Sequence, residues 1–452
     1  MMSSQTSDRL LVGVVEGFYG RPWTVQQRER LFQNLATWSL NSYVYAPKDD
    51  LKHRASWRSL YDKHELQALG VLVKQCREAG IRFVYAMGPG LDIHYASSAD
   101  RKALSDRVGQ LQDLGVADFA LLFDDIPDGM DAADRERFGS FAAAQAEVSN
   151  ALLAECREFS PESEFLFCPT PYCGRMRREG LGGEGYLEML GERLDPSIRI
   201  FWTGPEIISR EITESHLREL ADCLKRPVLI WDNYHANDYD LRRLYTGPLE
   251  GRPSSENNLL SGILLNPNCE FEANFVPLYS LGRWAADGDQ YAAESVFAEG
   301  LRAWSAEFDG VGDPWTAEEL ALFAAIFYSP FALGQSAAEM FEEVARLTKS
   351  DPEDWGDGWD RFQHWRQLTQ TISVKLTELN NRDLFYTFNR QWWEIREEFD
   401  LLARFLAYRR EHGGQARLPG SPEHLPGTYR GGLIRQLQRL LEMGSDGGFS
   451  AS

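Results

Sequence analysis

At 452 residues the chain is too long for one ordinary domain and long enough to bury a sizeable core. A formal net charge of −21, from 68 acidic and 47 basic residues, argues against a nucleic-acid partner, because such proteins present a basic face to the phosphates. With 43% hydrophobic and 25% charged residues, and no run approaching the roughly 18 apolar residues of a membrane helix, the make-up is that of a soluble globular protein without a membrane partner.

The first strand is Leu10 to Phe18, an apolar, valine-rich run ending in Glu16-Gly17-Phe18. Thr24 and Gln27 then form a capping box, and Leu31, Leu35 and Trp38 repeat at helical spacing. Ser42 to Pro47 is the next strand and opens into Lys48-Asp49-Asp50-Leu51-Lys52-His53-Arg54. A helix marked by Leu66, Leu69, Val73 and Cys76 closes at Gly80. Arg82 to Pro89 is a strand, and the helix around Val108, Leu111 and Leu114 closes at Gly115.

Phe119 to Phe123 follows as a short apolar run, with Asp124 and Asp125 at its C-terminal end and Ile126-Pro127 breaking it. Ala132 to Phe159 is alanine-rich and helical, and Glu164 to Thr170 is a strand. After a short helix, Leu187 to Leu194, come strand Arg199 to Pro205, a helix near Leu217 to Leu224, and strands Pro227 to Trp231 and Ser261 to Leu265.

About eight continuous apolar strands alternating with helices argue for a parallel sheet covered on both faces, and over this length for a closed (β/α)8 barrel. An open doubly wound sheet is the alternative, but its nucleotide-binding form wants GxGxxG after the first strand, where the chain has EGFYG. The barrel is expected over 10–290, after a flexible N-terminus at 1–9. From 291 to 452 no further buried strands appear and an all-helical domain is expected. There Trp392, Ile395, Phe399, Leu402 and Leu406 form an apolar stripe that is either core or an oligomer seam. Asp351 to Asp360 reads as a loop, and Gly413-Gly414 and 418–427 as irregular chain.

Polar residues collect where strands end: Glu16, Lys48, Asp124 and Asp125, Tyr172, Asp232 and Asn233, Asn266. This is the face on which barrel active sites are built. Side chains alternate along a strand, so Asp124 and Asp125 converge on one cavity only if the backbone turns there; otherwise they are a solvated Asp-Asp turn. Two acids adjacent in sequence poorly suit a nucleophile and an acid on opposite sides of a sugar. They better suit a substrate whose own 2-acetamido oxygen attacks, with one Asp holding the amide N–H and its neighbour protonating the leaving group.

The segment Trp231 to Asp240 (WDNYHANDYD) is either a hydroxyl-binding loop or merely a polar one, and Lys48 and Asn266 carry the same two readings. Cys168 reads as core. Asp232, His235 and Asp238, or Asp49, Asp50 and His53, could hold a metal, but neither set makes an HExxH or similar pattern, and no metal or cofactor is expected. The six cysteines show no CxxC pair and read as free thiols of a reducing compartment; with no signal peptide at the N-terminus, a cytoplasmic location is expected.

The runs GVVEGFYGRPW, YVYAPKDDLKHR, LLFDDIP, FLFCPTPYCG, WDNYHANDYD and NPNCEFEANF, in this order, resemble the O-GlcNAcases of glycoside hydrolase family 84. Weaker matches, Leu379 to Arg382, Trp392 to Leu402 and Tyr429 to Leu433, are similar to that family's helical stalk. The resemblance implies retaining, substrate-assisted removal of terminal β-linked N-acetylglucosamine through an oxazoline. It implies that Asp124 orients and polarises the acetamide, and that Asp125 is general acid and then base. Tyr172 would sit beside the acetamide, and Trp231 and Cys168 would line its pocket. Asn233, Asp238, Lys48, Asn266 and the backbone of Gly17 would hold the sugar, with Tyr19 flanking them.

The resemblance also implies a homodimer through the stalk and a protein or peptide substrate carrying O-linked GlcNAc. Pro171 departs from the family pattern, which has an acidic residue before the tyrosine. Other readings are the same chemistry on non-protein glycoconjugates, a metal-dependent deacetylase or hydrolase on a barrel, and a non-catalytic sugar-binding protein.

Overall fold

Eight short apolar runs become eight parallel strands: β1 (Leu11–Glu16), β2 (Ser42–Tyr45), β3 (Arg82–Met87), β4 (Asp118–Leu122), β5 (Phe165–Cys168), β6 (Arg199–Trp202), β7 (Val228–Asp232) and β8 (Leu260–Leu265). In the computed structural model, which describes residues 10–127, 129–421, 423 and 429–452, they close into a barrel in chain order. The closing pair is β1 with β8, registered Leu11 to Gly262 and Val14 to Leu265. The expectations for 1–9, and for part of 418–427, lie outside the described residues.

Period-two alternation sorts the strand residues into two layers. Val12, Val14, Tyr43, Phe83, Phe119 and Ile230 pack with helix residues such as Leu31, Leu69 and Val108. Val15, Val44, Val84, Ala86, Leu122, Leu166, Phe201 and Leu264 form a separate cluster, which fills the barrel interior. The interior is thus a packed core rather than a pore. Around the strand starts, ion pairs Arg82–Asp118 and Arg199–Glu164, each 2.9 Å, leave the opposite end for the site.

The helices start where local chemistry allows. Helix α1 (Val25–Thr37) has the expected capping box: Thr24 Oγ1 accepts from Gln27 N–H, and Gln27 Oε1 accepts from Thr24 N–H. Helix α2 (Lys63–Glu78) has a second, Asp62 with Glu65. After α3 (Ser98–Gln112), the alanine-rich stretch is two helices, α4 (Ala132–Phe138) and α5 (Phe141–Phe159). Gly139, at φ +76°, ends the first in the left-handed conformation, and Ser140 caps the second.

The structure divides into two compact units. The barrel unit runs to Tyr239 and includes Leu249–Phe271 and Leu278–Ala293. The second comprises Asp240–Pro248, Glu272–Pro277 and Glu294–Ser452. Its helices Ala317–Ile326, Gln335–Lys349, Gly358–Glu378 and Arg382–His412 surround a core in which Phe323 contacts Phe388 and Trp392.

Every residue of the Trp392 to Leu406 stripe is buried inside this unit, so the stripe is core. Part of the expected loop at Asp351 to Asp360 is ordered, with a 3-10 turn at Pro352–Asp354 and the next helix beginning at Gly358. A small antiparallel pair, Leu441–Met443 with Phe449–Ala451, was not legible in the sequence, since three-residue, partly exposed strands carry no periodic signal.

Candidate active site

Strand parity places the first carboxylate. Leu122 points into the barrel and Phe123 out under the helices, so Asp124 points into the mouth. By the same alternation Asp125 would face outward. It does not, because its backbone is left-handed, with φ +49°. This conformation is uncommon for a non-glycine residue and turns the side chain back to the mouth. There Asp125 Oδ1 accepts a 3.1 Å hydrogen bond from Tyr172 Oη. Both carboxyl groups line one cavity of about 500 Å³.

Asp124 is held by two cations. Lys48 Nζ lies 3.6 Å and Arg54 Nη1 3.2 Å from its Oδ2. Burial pushes the carboxyl's pKa up, but Lys48 and Arg54 outweigh it and hold the group below the usual carboxylate range. Among the described residues, Asp124 Oδ1 is buried and accepts no hydrogen bond, and Lys48 Nζ, also buried, makes none. Unsatisfied buried polar atoms are rare in native proteins and here face a cavity able to receive a ligand.

The opposite wall is one hydrogen-bonded set. Trp231 Nε1 donates to Asn233 Oδ1 (3.0 Å), as does Asn266 Nδ2 (2.9 Å), and Asn233 Nδ2 donates to the Ile207 carbonyl (2.9 Å). Asn266 Oδ1 is left buried without a hydrogen-bond partner among the described residues. The Trp231 indole meets Phe201 edge-on at 5.2 Å. It lies so close to Gly17 that a Cβ there would come within 2.6 Å of the ring, so only glycine lets the backbone approach. Asp238 Oδ2 accepts from the Tyr19 amide at 2.9 Å, and Lys48 Nζ sits 5.4 Å from the centre of the Tyr19 ring.

Burial keeps the Tyr172 phenol and the Cys168 thiol protonated, with Asp125 and Asp124 respectively adding to the effect. Pro171 does not move Tyr172 off Asp125, and the Tyr172 carbonyl is itself fixed by the Thr203 amide at 2.9 Å.

All eleven residues singled out from the sequence line this cavity: Gly17, Tyr19, Lys48, Asp124, Asp125, Cys168, Tyr172, Trp231, Asn233, Asp238 and Asn266. Two other strand-end acids do not. Glu16 points outward to Arg28 (2.7 Å), the Trp23 amide and the Tyr43 phenol. Asp232 does the same towards Arg252, at 2.6 Å. Each follows the outward parity of its strand.

The two metal sets considered from sequence are not assembled among the described residues. Asp232 is committed to Arg252, and Asp50 accepts from Tyr45 and Tyr61. His53 is buried, its pKa lowered to about 3 by burial and then by Lys48. A different group, His94, Asp131 and Asp134, lies close together, but Asp134 already accepts from the Tyr95 and Ala96 amides. Sequence reasoning missed Thr203 and Ile207 on the wall, which carry no motif, and did not single out Tyr239 on the wall or Arg54 beneath it, although both sit in quoted motifs.

The profile of the beta-N-acetylglucosaminidase family matches residues 12–324. The chain is 48% identical over 276 residues to the Protein O-GlcNAcases of Rattus norvegicus and Mus musculus, covering 61% of this chain. The match spans only 30% of the length of those curated relatives. Among solved structures, an O-GlcNAc hydrolase of Thermobaculum terrenum, studied as a mutant, superposes with a TM-score of 0.78 at 27% identity, covering 88% of this chain and 84% of that one. A closed parallel barrel, a strand-end acid pair in its mouth and a family match over most of the chain agree: the protein belongs to the beta-N-acetylglucosaminidase family.

Proposed function

We propose that the protein is a retaining exo-β-N-acetylglucosaminidase that removes O-linked GlcNAc from modified proteins, with the substrate's acetamide as nucleophile. The observation carrying this reading is the acid pair. Asp124 has one carboxylate oxygen buried without a hydrogen-bond partner among the described residues, and Asp125 is turned into the same cavity against Tyr172.

In this mechanism Asp124 accepts from the acetamide N–H, aligning the carbonyl oxygen with the anomeric carbon. That oxygen attacks, the glycosidic bond breaks, and the Asp125 carboxyl gives its proton to the departing oxygen. The acetamide N–H proton moves to Asp124 as the oxazoline forms and returns to the nitrogen as water opens the ring, while the water's proton passes to Asp125 and the new carbon–oxygen bond restores the original configuration. Lowering of the Asp124 pKa by Lys48 and Arg54 favours the charged form that this role needs. Trp231 and Cys168 would wall the N-acetyl group. The Gly17 carbonyl, Lys48, Asn233, Asp238 and Asn266 would hold hydroxyls, with Tyr19 beside them.

Aryl β-N-acetylglucosaminides carrying zero to three fluorines on the acetyl group test this. Fluorine weakens the amide oxygen as a nucleophile with little change of shape, so kcat should fall steeply along the series. A flat series with good activity would place the nucleophile on the enzyme or on bound water.

The proposal includes a catalytic barrel at 10–290, a stalk-like domain at 291–452, a cytoplasmic location and a homodimer through the stalk. Six free thiols support a reducing compartment. With the apolar stripe buried in the core, support for the dimer comes from the outer face of Arg382–His412. Tyr386 and Trp393, 70% and 52% exposed, lie two turns apart on one side. Light scattering should give a dimer, and Tyr386→Glu with Trp393→Glu a monomer; a monomeric wild type at micromolar concentration refutes it.

A further inference from the structure

We infer that Arg54 is a positioning residue for the reaction proposed above, its single guanidinium fixing where both acids of the pair point. Nη1 donates to Asp124 Oδ2 at 3.2 Å, while Nη2 donates to the Asp124 carbonyl at 3.2 Å and to the Asp125 carbonyl at 3.0 Å. The side chain is 11% exposed, and Arg54 is absent from the cavity lining, so it acts from behind the pair.

The placement answers a physical need. Asp125 faces the mouth only because its backbone is left-handed, and a non-glycine residue stays there only when its surroundings over-determine it. Tyr172 holds the carboxyl group, and Arg54 holds the carbonyl at the other end of the same residue. One planar fork thus couples the carboxylate that orients the acetamide to the backbone that aims the proton donor. A lysine ammonium at this position would keep the charge but lacks the planar fork that spans these acceptors.

Arg54 is in turn anchored. The adjacent His53 is fully buried, its Nδ1 is 2.7 Å from the Ala86 carbonyl on β3, and its own carbonyl accepts from Gly88 N–H at 2.8 Å. The segment after β2 is therefore tied to the end of β3, which fixes where the guanidinium stands. Lys48 Nζ reaches the Asp124 carboxylate at 3.6 Å and, among the described residues, hydrogen-bonds to neither backbone carbonyl of the pair, so the two cations have separate tasks.

The test uses Arg54→Lys and Arg54→Ala with aryl and alkyl β-N-acetylglucosaminides of graded leaving-group ability. Arg54→Lys should retain a Tm and KM near wild type. Its kcat should fall about tenfold to a hundredfold on poor leaving groups and less on activated aryl glycosides, since a displaced proton donor matters most where protonation is needed. Arg54→Ala should lose more and regain part of its rate in added guanidinium ion. A role in folding alone would lower Tm or slow all leaving groups equally, and either result with an unchanged leaving-group slope in Arg54→Lys overturns the inference.

Should Arg54→Ala not fold, Arg54→Lys carries the test by itself. The inference rests on the reading of Asp125 as proton donor, and the two fail differently. A wild type indifferent to acetyl fluorination overturns that reading, whereas a wild type that responds, with variants of unchanged slope, overturns the role of Arg54 alone.

Discussion

Asp125→Asn is expected to slow hydrolysis of poor leaving groups about 10²- to 10⁴-fold while leaving activated aryl glycosides much less affected. Asparagine keeps the shape of the side chain and can still accept from Tyr172 Oη, which lies 3.1 Å from Asp125 Oδ1. What it cannot do is give up a proton, so the loss should track the basicity of the departing oxygen. Steady-state kinetics over an alkyl and aryl series reads this directly. Equal losses for good and poor leaving groups would contradict the assignment.

Asp124→Asn should behave differently. Here both good and poor leaving groups should slow, by about 10²- to 10³-fold, because the internal nucleophile loses an electrostatic partner whatever is leaving. The variant should also flatten the response to acetyl fluorination less than it lowers the rate, since the acetamide still attacks.

Charge makes Asp124 a stability residue as well. Burial opposes its ionised form, but Lys48 and Arg54 outweigh burial, so its folded pKa lies below the unfolded value near about 3.9. The sign follows: this carboxylate stabilises the fold above the unfolded value, and the stabilisation is lost as pH falls through the lowered folded value. Replacing it by Asn leaves Lys48 and Arg54, only 7% and 11% exposed, without their counter-charge. Tm at neutral pH should therefore drop, and the gap to wild type should narrow in acid. A rise in Tm at neutral pH would show that the two cations do not depend on Asp124.

Local signals were legible because they need only neighbours in the chain. Each of the eight apolar runs holds a strand, Thr24 with Gln27 makes its capping box, and the strand-end motifs name side chains that line one cavity. Alternation along a strand even predicts which way Asp124, Trp231 and Asn266 face, once the interior layer is known.

Tertiary structure decided what depends on distant partners. Glu16 and Asp232 look like site acids in the sequence, but their strands' outward parity carries them under the helices, where only the folded chain supplies Arg28 and Arg252 as partners. No rule of composition marks Asp125 as left-handed, because that conformation is held by Tyr172 and by an arginine about seventy residues earlier in the chain. The stripe from Trp392 to Leu406 has the same spacing whether it is core or seam, and only packing against Phe323 and its neighbours makes it core. Local sequence determines elements and the chemical types at their ends; burial and pairing across the fold determine which of those groups are left unsatisfied, and so able to act.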